Sequence, residues 1–395
     1  MEPKMMLEGI SELPLHQGHV PAWLANIMKR LAKAILEIMV EEFGPDKIVE
    51  RFSNPLWFQA FNNVIGMDWD SSGSTTVTTG ILKEVSWNNP DLGFLVLGGK
   101  GRYARQVPEE IPYATELLGI NSDTSKLLEK ASRIIAKVDS VMLQDNYTLY
   151  HHALFVSENG VWAIIQQGMN LKHRMARRYH WFQDTSFYED PHKAVAGIKH
   201  DLVLNLVSRE SRKARKTILD LAKENPNTII NEYSSLFNKL KGQREILSYI
   251  TPSRTGRIKL ERINKIIIYE PLPLPKHILE KLRRTYEVQP GNLDDLLLIR
   301  GVGPKTIRAL ALMSDLIYNE PPSTNDPVNT PYDPFKYAYA IGGKDGVPYP
   351  VNKKDAEEVI ATLEDIIYSA KIGRKEKLLA MKKLSKIKIR FRIVY

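Results

Sequence analysis

The dipeptide Asn159-Gly160 lies between two runs of strand-forming residues, 151–158 and 161–168, and no other stretch limits the fold of this chain as sharply. An Asn-Gly pair tolerates the left-handed backbone of a tight turn, so the runs are expected to close as an antiparallel hairpin with a two-residue loop. In that register the numbers of facing residues sum to 319, which sets His152 opposite Gln167 and Ala153 opposite Gln166. Residues 177–183 are expected to add a third strand and to bring His180 alongside. Side chains alternate across a strand, so His151 and His152 face opposite ways and at most one of them can address a given substrate.

Around this hairpin the pattern alternates between helix and strand. Residues 21–43 read as an amphipathic helix ended by Gly44-Pro45, with a second beginning at Asp46. Residues 55–67 carry Trp57, Phe58 and Phe61 at helical spacing, the run from Asp68 to Thr76 reads as a polar loop, and 92–97 reads as a buried strand followed by a Gly98-Gly99-Lys100 loop. Helices are expected over 122–142, 199–224, 228–248 and 353–369. Pro271, Pro273 and Pro275 mark a boundary, and 320–346 is rich in Pro, Asn, Asp and Gly. The expected organisation is a candidate catalytic α+β domain over 1–198, a helical connector over 199–270, a two-helix module over 271–320, a loop and helix over 321–370, and a basic tail over 371–395.

Charge is placed unevenly. The net charge of +9 equals the excess between Lys371 and Tyr395, where ten basic residues face the single acid Glu376. The rest of the chain is neutral overall, so the tail is a local device. A basic arm of this kind suits counterion release on DNA or RNA, and the alternation around Lys388, Arg390 and Arg392 reads as a strand with one basic face. Cysteine is absent, which excludes disulfides, thiol nucleophiles and cysteine-ligated metal clusters. No apolar stretch approaches the ~20 residues of a membrane span, and residues 1–14 lack a signal-peptide pattern, so a cytoplasmic location is expected.

The hairpin gathers chemistry-bearing side chains. His152, Gln167, Arg177, Arg178 and His180 are the catalytic candidates: an imidazole moves protons near neutral pH, and guanidinium groups stabilise charge developing on a phosphate or a sugar. The alternative is a polar sheet surface that touches phosphates without chemistry. His16 and His19 could hold a divalent metal with Asp68 or Asp70, although no metal-binding motif supports one. Lys100 and Lys344, each after a Gly-Gly pair, could present an ammonium to a phosphate, and Asp345 could act as a base or cap a turn.

Residues 296–312 carry a second signal, an apolar run, then Gly301-Val302-Gly303, then Pro304-Lys305-Thr306 and a string of helix formers through Arg308. Glycines allow a sharp turn, and Pro304 suits a first helical position. The segment resembles a helix-hairpin-helix, in which amides at the helix start, with Lys305, Thr306 and Arg308, would take a phosphate without reading sequence. A glycine turn of this kind also occurs as plain packing. In Gly301 to Thr306 it is similar to the hairpin of DNA-repair glycosylases. That resemblance implies a Schiff-base role for Lys305, while the aspartate such enzymes place further on falls here at Ser323, with Asp326 close by.

Over nearly its whole length the chain also resembles a conserved prokaryotic family of unknown function, common in archaea. The likeness rests on Leu13-Pro-Leu-His16, Asp70-Ser-Ser-Gly73, Gly98-Gly-Lys100, Tyr150-His-His152, Gln166-Gln-Gly-Met169, Arg177-Arg-Tyr-His-Trp181 and Gly342-Gly-Lys-Asp-Gly346. It implies one architecture for these polar islands and no particular activity. The fold expected is an α/β (α+β) N-terminal domain with an antiparallel hairpin, an all-α C-terminal part containing the helix-hairpin-helix, and a basic tail. The function expected is DNA binding with processing or repair by a nuclease or glycosylase/lyase. The alternatives are a non-enzymatic binder of DNA or RNA structures, or an RNA-modifying or metabolic enzyme whose hairpin contacts protein.

Overall fold

Gly44 bends the first helix rather than ending it. The computed structural model describes residues 20, 22–66, 72–183, 186–247, 276–329, 353–370, 373–378, 380–382 and 384. In it, helix α1 (Ala22–Phe52) continues past Gly44-Pro45 with a kink where Gly44 takes φ 76° and ψ 162°. Asn54 then caps α2 (Pro55–Ile65), accepting from the amides of Leu56 and Trp57. The run read as a polar loop is helical from Ser72 onward, in α3 (Ser72–Asn88). Ser, Gly and Thr are poor helix formers alone, and burial of Ser72, Ser74, Thr75, Thr78 and Thr79 overrides that preference.

Strand β1 (Phe94–Lys100) includes the Gly-Gly-Lys segment that was expected to be a loop. Helices α4 (Arg102–Leu117) and α5 (Ser122–Lys137) follow, and α5 passes into a five-residue π-helical turn, Val138–Met142. The strands β2 (Leu143–Gln144), β3 (Thr148–Ser157), β4 (Trp162–Asn170), β5 (Met175–Phe182), β6 (Ala194–Ala196) and β7 (Leu204–Asn205) come next. Five of them form one antiparallel sheet in the order β1-β3-β4-β5-β6, while β2 pairs with β7.

The β3–β4 hairpin and the third strand form as expected, with the register shifted by one. Ser157 donates its amide to Val161, so the loop holds three residues, Glu158 to Gly160, and Gly160 takes φ 79°. Asn159 keeps a negative φ, which excludes the two-residue turn that needs both central residues left-handed. Facing residues therefore sum to 318: His152 pairs with Gln166 and His151 with Gln167. A bulge at Tyr150 separates this register from the next.

The sheet is covered on both faces. Leu95, Leu97, Leu154, Val156, Ile164, Tyr179 and Trp181 pack against α4, α5 and the helices of the C-terminal part. Phe94, Val96, Ala153, Phe155, Ala163 and Ile165 pack against α1, α2, α3 and α11 (Lys353–Ser369), which spans the residues expected for it. Residues 199–211, expected to be helical, instead carry β7 and a short 3-10 turn. Asn205 and Ser208 take the amides of Val207, Ser208 and Glu210 on their side chains, a local alternative to helix.

Helices α6 (Arg212–Ala222), α7 (Pro226–Leu247), α8 (Lys276–Val288), α9 (Leu293–Leu298) and α10 (Pro304–Leu316) complete this side. Their Ile218, Ile229, Leu282, Leu297, Val302, Ile307 and Leu310 join the first apolar cluster, so one core runs across the boundaries expected near 198, 270 and 320. Ser323 bridges to Asn205, which ties the segment after α10 to the strand region. Pro271, Pro273, Pro275 and the strand expected around Lys388 lie outside the described residues. No helix among the described residues is long and apolar enough to cross a membrane.

Candidate functional site

Polar residues concentrate at one end of the sheet, where β1 ends, β3 begins, β4 ends and β5 begins. Alternation sorts them onto opposite faces. On the α5 face, His152 Nδ1 lies 2.8 Å from Gln166 Oε1, and its Nε2 lies 2.9 Å from Ser132 Oγ. Gln166 Nε2 donates to Asp139 Oδ2 at 2.5 Å, and Trp181 Nε1 donates to the same oxygen at 2.8 Å. His192 Nε2 donates to Asp139 Oδ1 at 2.5 Å. Asp139 stands in the π-helical turn and is fully buried, so three donors hold one carboxylate inside the protein.

Beside it, Arg177 is buried between two carboxylates, with Nη1 2.7 Å from Asp145 Oδ2 and Nη2 2.6 Å from Asp326 Oδ2. Tyr179 also donates to Asp145, at 2.6 Å. Burial opposes the Arg177 charge, but Asp145, Tyr179 and Asp326 outweigh it and raise its pKa above the ordinary value. Asp326, weighed above as the aspartate of a glycosylase, is thus half of a buried clamp that fixes the segment after α10 to β5.

On the opposite face, Gln167 bonds Thr75 Oγ1 at 2.6 Å, the Ser72 carbonyl at 2.9 Å and the Tyr150 hydroxyl. His151 Nε2 lies 3.2 Å from Thr79 Oγ1. Arg178 Nη2 donates to Gln59 Oε1 at 3.3 Å and lies over the Phe58 ring, which also packs edge-on against His180. Thr75 thus pairs with Gln167, Thr78 with Asn62 and Gln59 with Asn63 in the interior between α2, α3 and β4.

The catalytic candidates therefore do not meet at one point. His152 and Arg177 lie on the α5 face, and Gln167, Arg178 and His180 on the other, all of them buried. Burial, with His152, Arg178 and Lys100 adding to it, drives His151 down to about 3. Burial also lowers His152, against the pull of Gln166 and Asp139, and takes His180 well below the usual imidazole range, with Arg178 adding to the effect. A general acid or base works best with a pKa near the working pH, and these three imidazoles are held away from it. An open recess of about 510 Å³ is lined by other residues, among them Phe43, Lys47, Glu50, Phe182 and Lys193.

Sequence reasoning missed Asp139, Asp145 and His192. The available signal was an acid inside the apolar stretch Val138-Asp139-Ser140-Val141-Met142; its partners come from distant strands and left no local pattern.

A second polar centre surrounds the turn between α9 and α10. Asn292 caps α9, and Gly301 reverses the chain with φ 100°. Gly301, Pro304, Lys305 and Arg300 are exposed, Gly303 and Arg308 half-buried, and Val302 and Thr306 buried. Lys137 donates to the Val302 carbonyl at 3.0 Å, and Gln144 Nε2 donates to the Pro304 carbonyl at 3.0 Å. In a trans peptide the N–H points opposite to the C=O, so tethering these carbonyls inward turns the amides of Gly303 and Lys305 outward. Arg308 does not join that outward set, because its Nε donates to Gln144 Oε1 at 2.7 Å. Val302 and Thr306 serve packing.

Lys100 is exposed at the end of β1, opposite His151. Lys344, Lys388, Arg390 and Arg392 lie outside the described residues, as do Asp345 and the metal candidates His16, His19, Asp68 and Asp70. Among the described residues, no group of three or more histidines and carboxylates converges to hold a metal.

The sheet, its two polar networks and the α9–α10 turn all fall in one stretch matched by a family model, residues 9–351. The chain belongs to the family described as protein of unknown function (DUF763). Comparison with curated proteins and with solved structures gave no match. The DUF763 match stops short of α11 and of the basic run after Lys371, and it spans the motifs on which the prokaryotic-family resemblance rests, from Leu13 to Gly346.

Proposed function

We propose that this chain is a DNA-binding protein whose α9–α10 unit acts as a helix-hairpin-helix and grips backbone phosphates. The observation that carries the reading is the pair of outward amides, Gly303 and Lys305, beside the exposed Lys305 and Arg300 side chains. Amides at the start of a 13-residue helix, reinforced by its dipole and by two cations, make a receptor for a phosphate. Contacts of this kind are independent of base sequence. Lys100 at the same end of the sheet extends the basic surface, and the charged run after Lys371 supplies more counterion release. The test is fluorescence anisotropy of labelled duplex DNA, with RNA as competitor, for wild type and Lys305→Glu. The expected result is salt-sensitive binding that the substitution weakens; no binding at low salt, or an indifferent variant, overturns the reading.

Processing of the bound DNA is a second reading, favoured by the Asp139–His192 pair. A carboxylate that fixes one imidazole nitrogen leaves the other as a proton acceptor, the arrangement general-base catalysis uses. Incubating labelled duplex, single-stranded and abasic DNA with and without divalent metal decides it, with His192→Ala and His152→Ala as comparisons. Product that depends on His192 is expected, and unchanged substrate throughout excludes the reading.

A further inference from the structure

The β4–β5 hairpin ends in Leu171-Lys172-His173-Arg174, four exposed residues at the same end of the sheet as the start of α10. Gln144, a few residues before β3, bonds the Pro304 carbonyl, and β3 begins where β4 ends and β5 starts, which fixes that placement. Leu171 is 73% exposed, the most exposed leucine among the described residues. The turn is held in shape: Asn170 Oδ1 accepts the His173 amide at 3.1 Å, and Arg174 takes a left-handed φ of 56°. Just below it, Arg177 is clamped by Asp145 and Asp326, so the tip stands on a stiff base.

The charge around the tip is basic. Lys172 and Arg174 flank it, the half-buried His200 lies beside it in the neighbouring segment, and the exposed Lys199 and Asp201 stand on either side of His200 in the chain. The His173 and His200 rings lie 6.4 Å apart. Lys172, Arg174 and Lys199 form no ion pair with a described residue. One apolar side chain on a narrow basic tip is too little for a membrane surface, which rewards a broad apolar face. It is enough for a single base step, where an inserted leucine unstacks neighbours while cations take the phosphates.

We propose that this tip is a wedge for duplex DNA at an end, nick or junction, with Leu171 entering a base step and Lys172 and Arg174 holding the flanking phosphates. The proposal rests on the DNA-binding reading above. It is tested with full-length protein and nicked duplex carrying 2-aminopurine beside the nick, comparing wild type, Leu171→Ala, and Lys172→Ala combined with Arg174→Gly, where glycine keeps the left-handed backbone. Wild type should raise the fluorescence by unstacking the probe. Leu171→Ala should bind within about twofold of wild type yet lose most of that rise, because the phosphate contacts remain. The double variant should bind roughly tenfold more weakly, with a shallower salt dependence. Wild type that binds DNA while both variants match it in rise and affinity overturns the wedge and leaves the turn at α10 standing. Wild type that binds no DNA at low salt overturns both, as does tip-dependent binding to phosphatidylcholine–phosphatidylserine vesicles without binding to DNA.

Discussion

His192 donates from Nε2 to the fully buried carboxylate of Asp139 across 2.5 Å, and this one bond fixes which nitrogen of the ring carries the proton. The same carboxylate accepts from Gln166 and Trp181, so its replacement tests the network in two ways. Asp139→Asn keeps an oxygen for two donors but turns an amide N–H₂ toward His192, which can accept it only by moving its own proton to Nδ1. We expect a loss of about 1–2 kcal/mol for Asn and about 3–5 kcal/mol for Ala, which takes the acceptor from Trp181 and His192 and leaves Gln166 only its long bond to the Ile135 carbonyl. Urea unfolding gives the energies, and nitrogen NMR of the ring reads the tautomer; an Nε2-protonated His192 in the Asn variant would exclude this account.

Three imidazoles buried as neutral rings make a prediction about acid. His151 titrates at about 3 in the folded state, and His152 and His180 also lie below the ordinary 6.5. A folded pKa below the unfolded one means that the unfolded chain binds more protons in the window between them. Stability is therefore flat above about pH 7 and falls as the pH drops below 6.5, by up to about 1.4 kcal/mol per pH unit for each histidine. Asp145 works against this trend at lower pH, because burial raises its carboxyl above the ordinary value and the folded chain then binds the extra proton. Unfolding midpoints measured from pH 8 to pH 4 should show the break near 6, and His151→Gln should flatten the slope by about a third; an unchanged slope in that variant would show that His151 is charged when folded.

The legible parts of the sequence were those whose causes are local. Asn54 and Asn121 cap helices that the residue pattern had placed, and the last helix fell on Lys353–Ser369. The Asn-Gly hairpin was visible, but choosing between a two- and a three-residue loop depends on small differences in backbone angle at Asn159, and that difference moved His152 from Gln167 to Gln166. The Ser-Gly-Ser-Thr-Thr run looked like a loop because its helix depends on burial against Gln167 and His151, which no window of sequence contains. The clamp of Arg177 on Asp145 and Asp326 was hidden for the same reason: Arg177 and Asp326 are 149 positions apart.

Gly98 shows how little room the sheet leaves near the polar end. It takes φ 83°, and a Cβ there would lie 2.3 Å from the His152 carbonyl oxygen and 2.4 Å from Val107 Cγ2. Both neighbours are fixed, one by the β1–β3 ladder and the other by the core. Gly98→Ala should cost about 3–5 kcal/mol, adding backbone strain to overpacking. Thermal unfolding measures it, and Gly101→Ala, where a Cβ meets open space, is the control that carries the backbone strain alone.

Lys305 gives the sharpest test of the turn, because its side chain is exposed while its amide is turned outward by the bond from Gln144 to the Pro304 carbonyl. The two contributions separate by mutation. Lys305→Ala removes the ammonium and leaves the amide, so duplex affinity should fall uniformly across sequences and the slope of log K against log salt should lose about one unit. Gln144→Ala keeps the ammonium but removes the donor to the Pro304 carbonyl, so the amides lose their fixed direction. Affinity should then fall by roughly tenfold with the slope nearly unchanged, since the number of cations is the same. Anisotropy titrations at several salt concentrations distinguish the two, and a Gln144→Ala protein that binds like wild type would remove the role assigned to the tethered carbonyls.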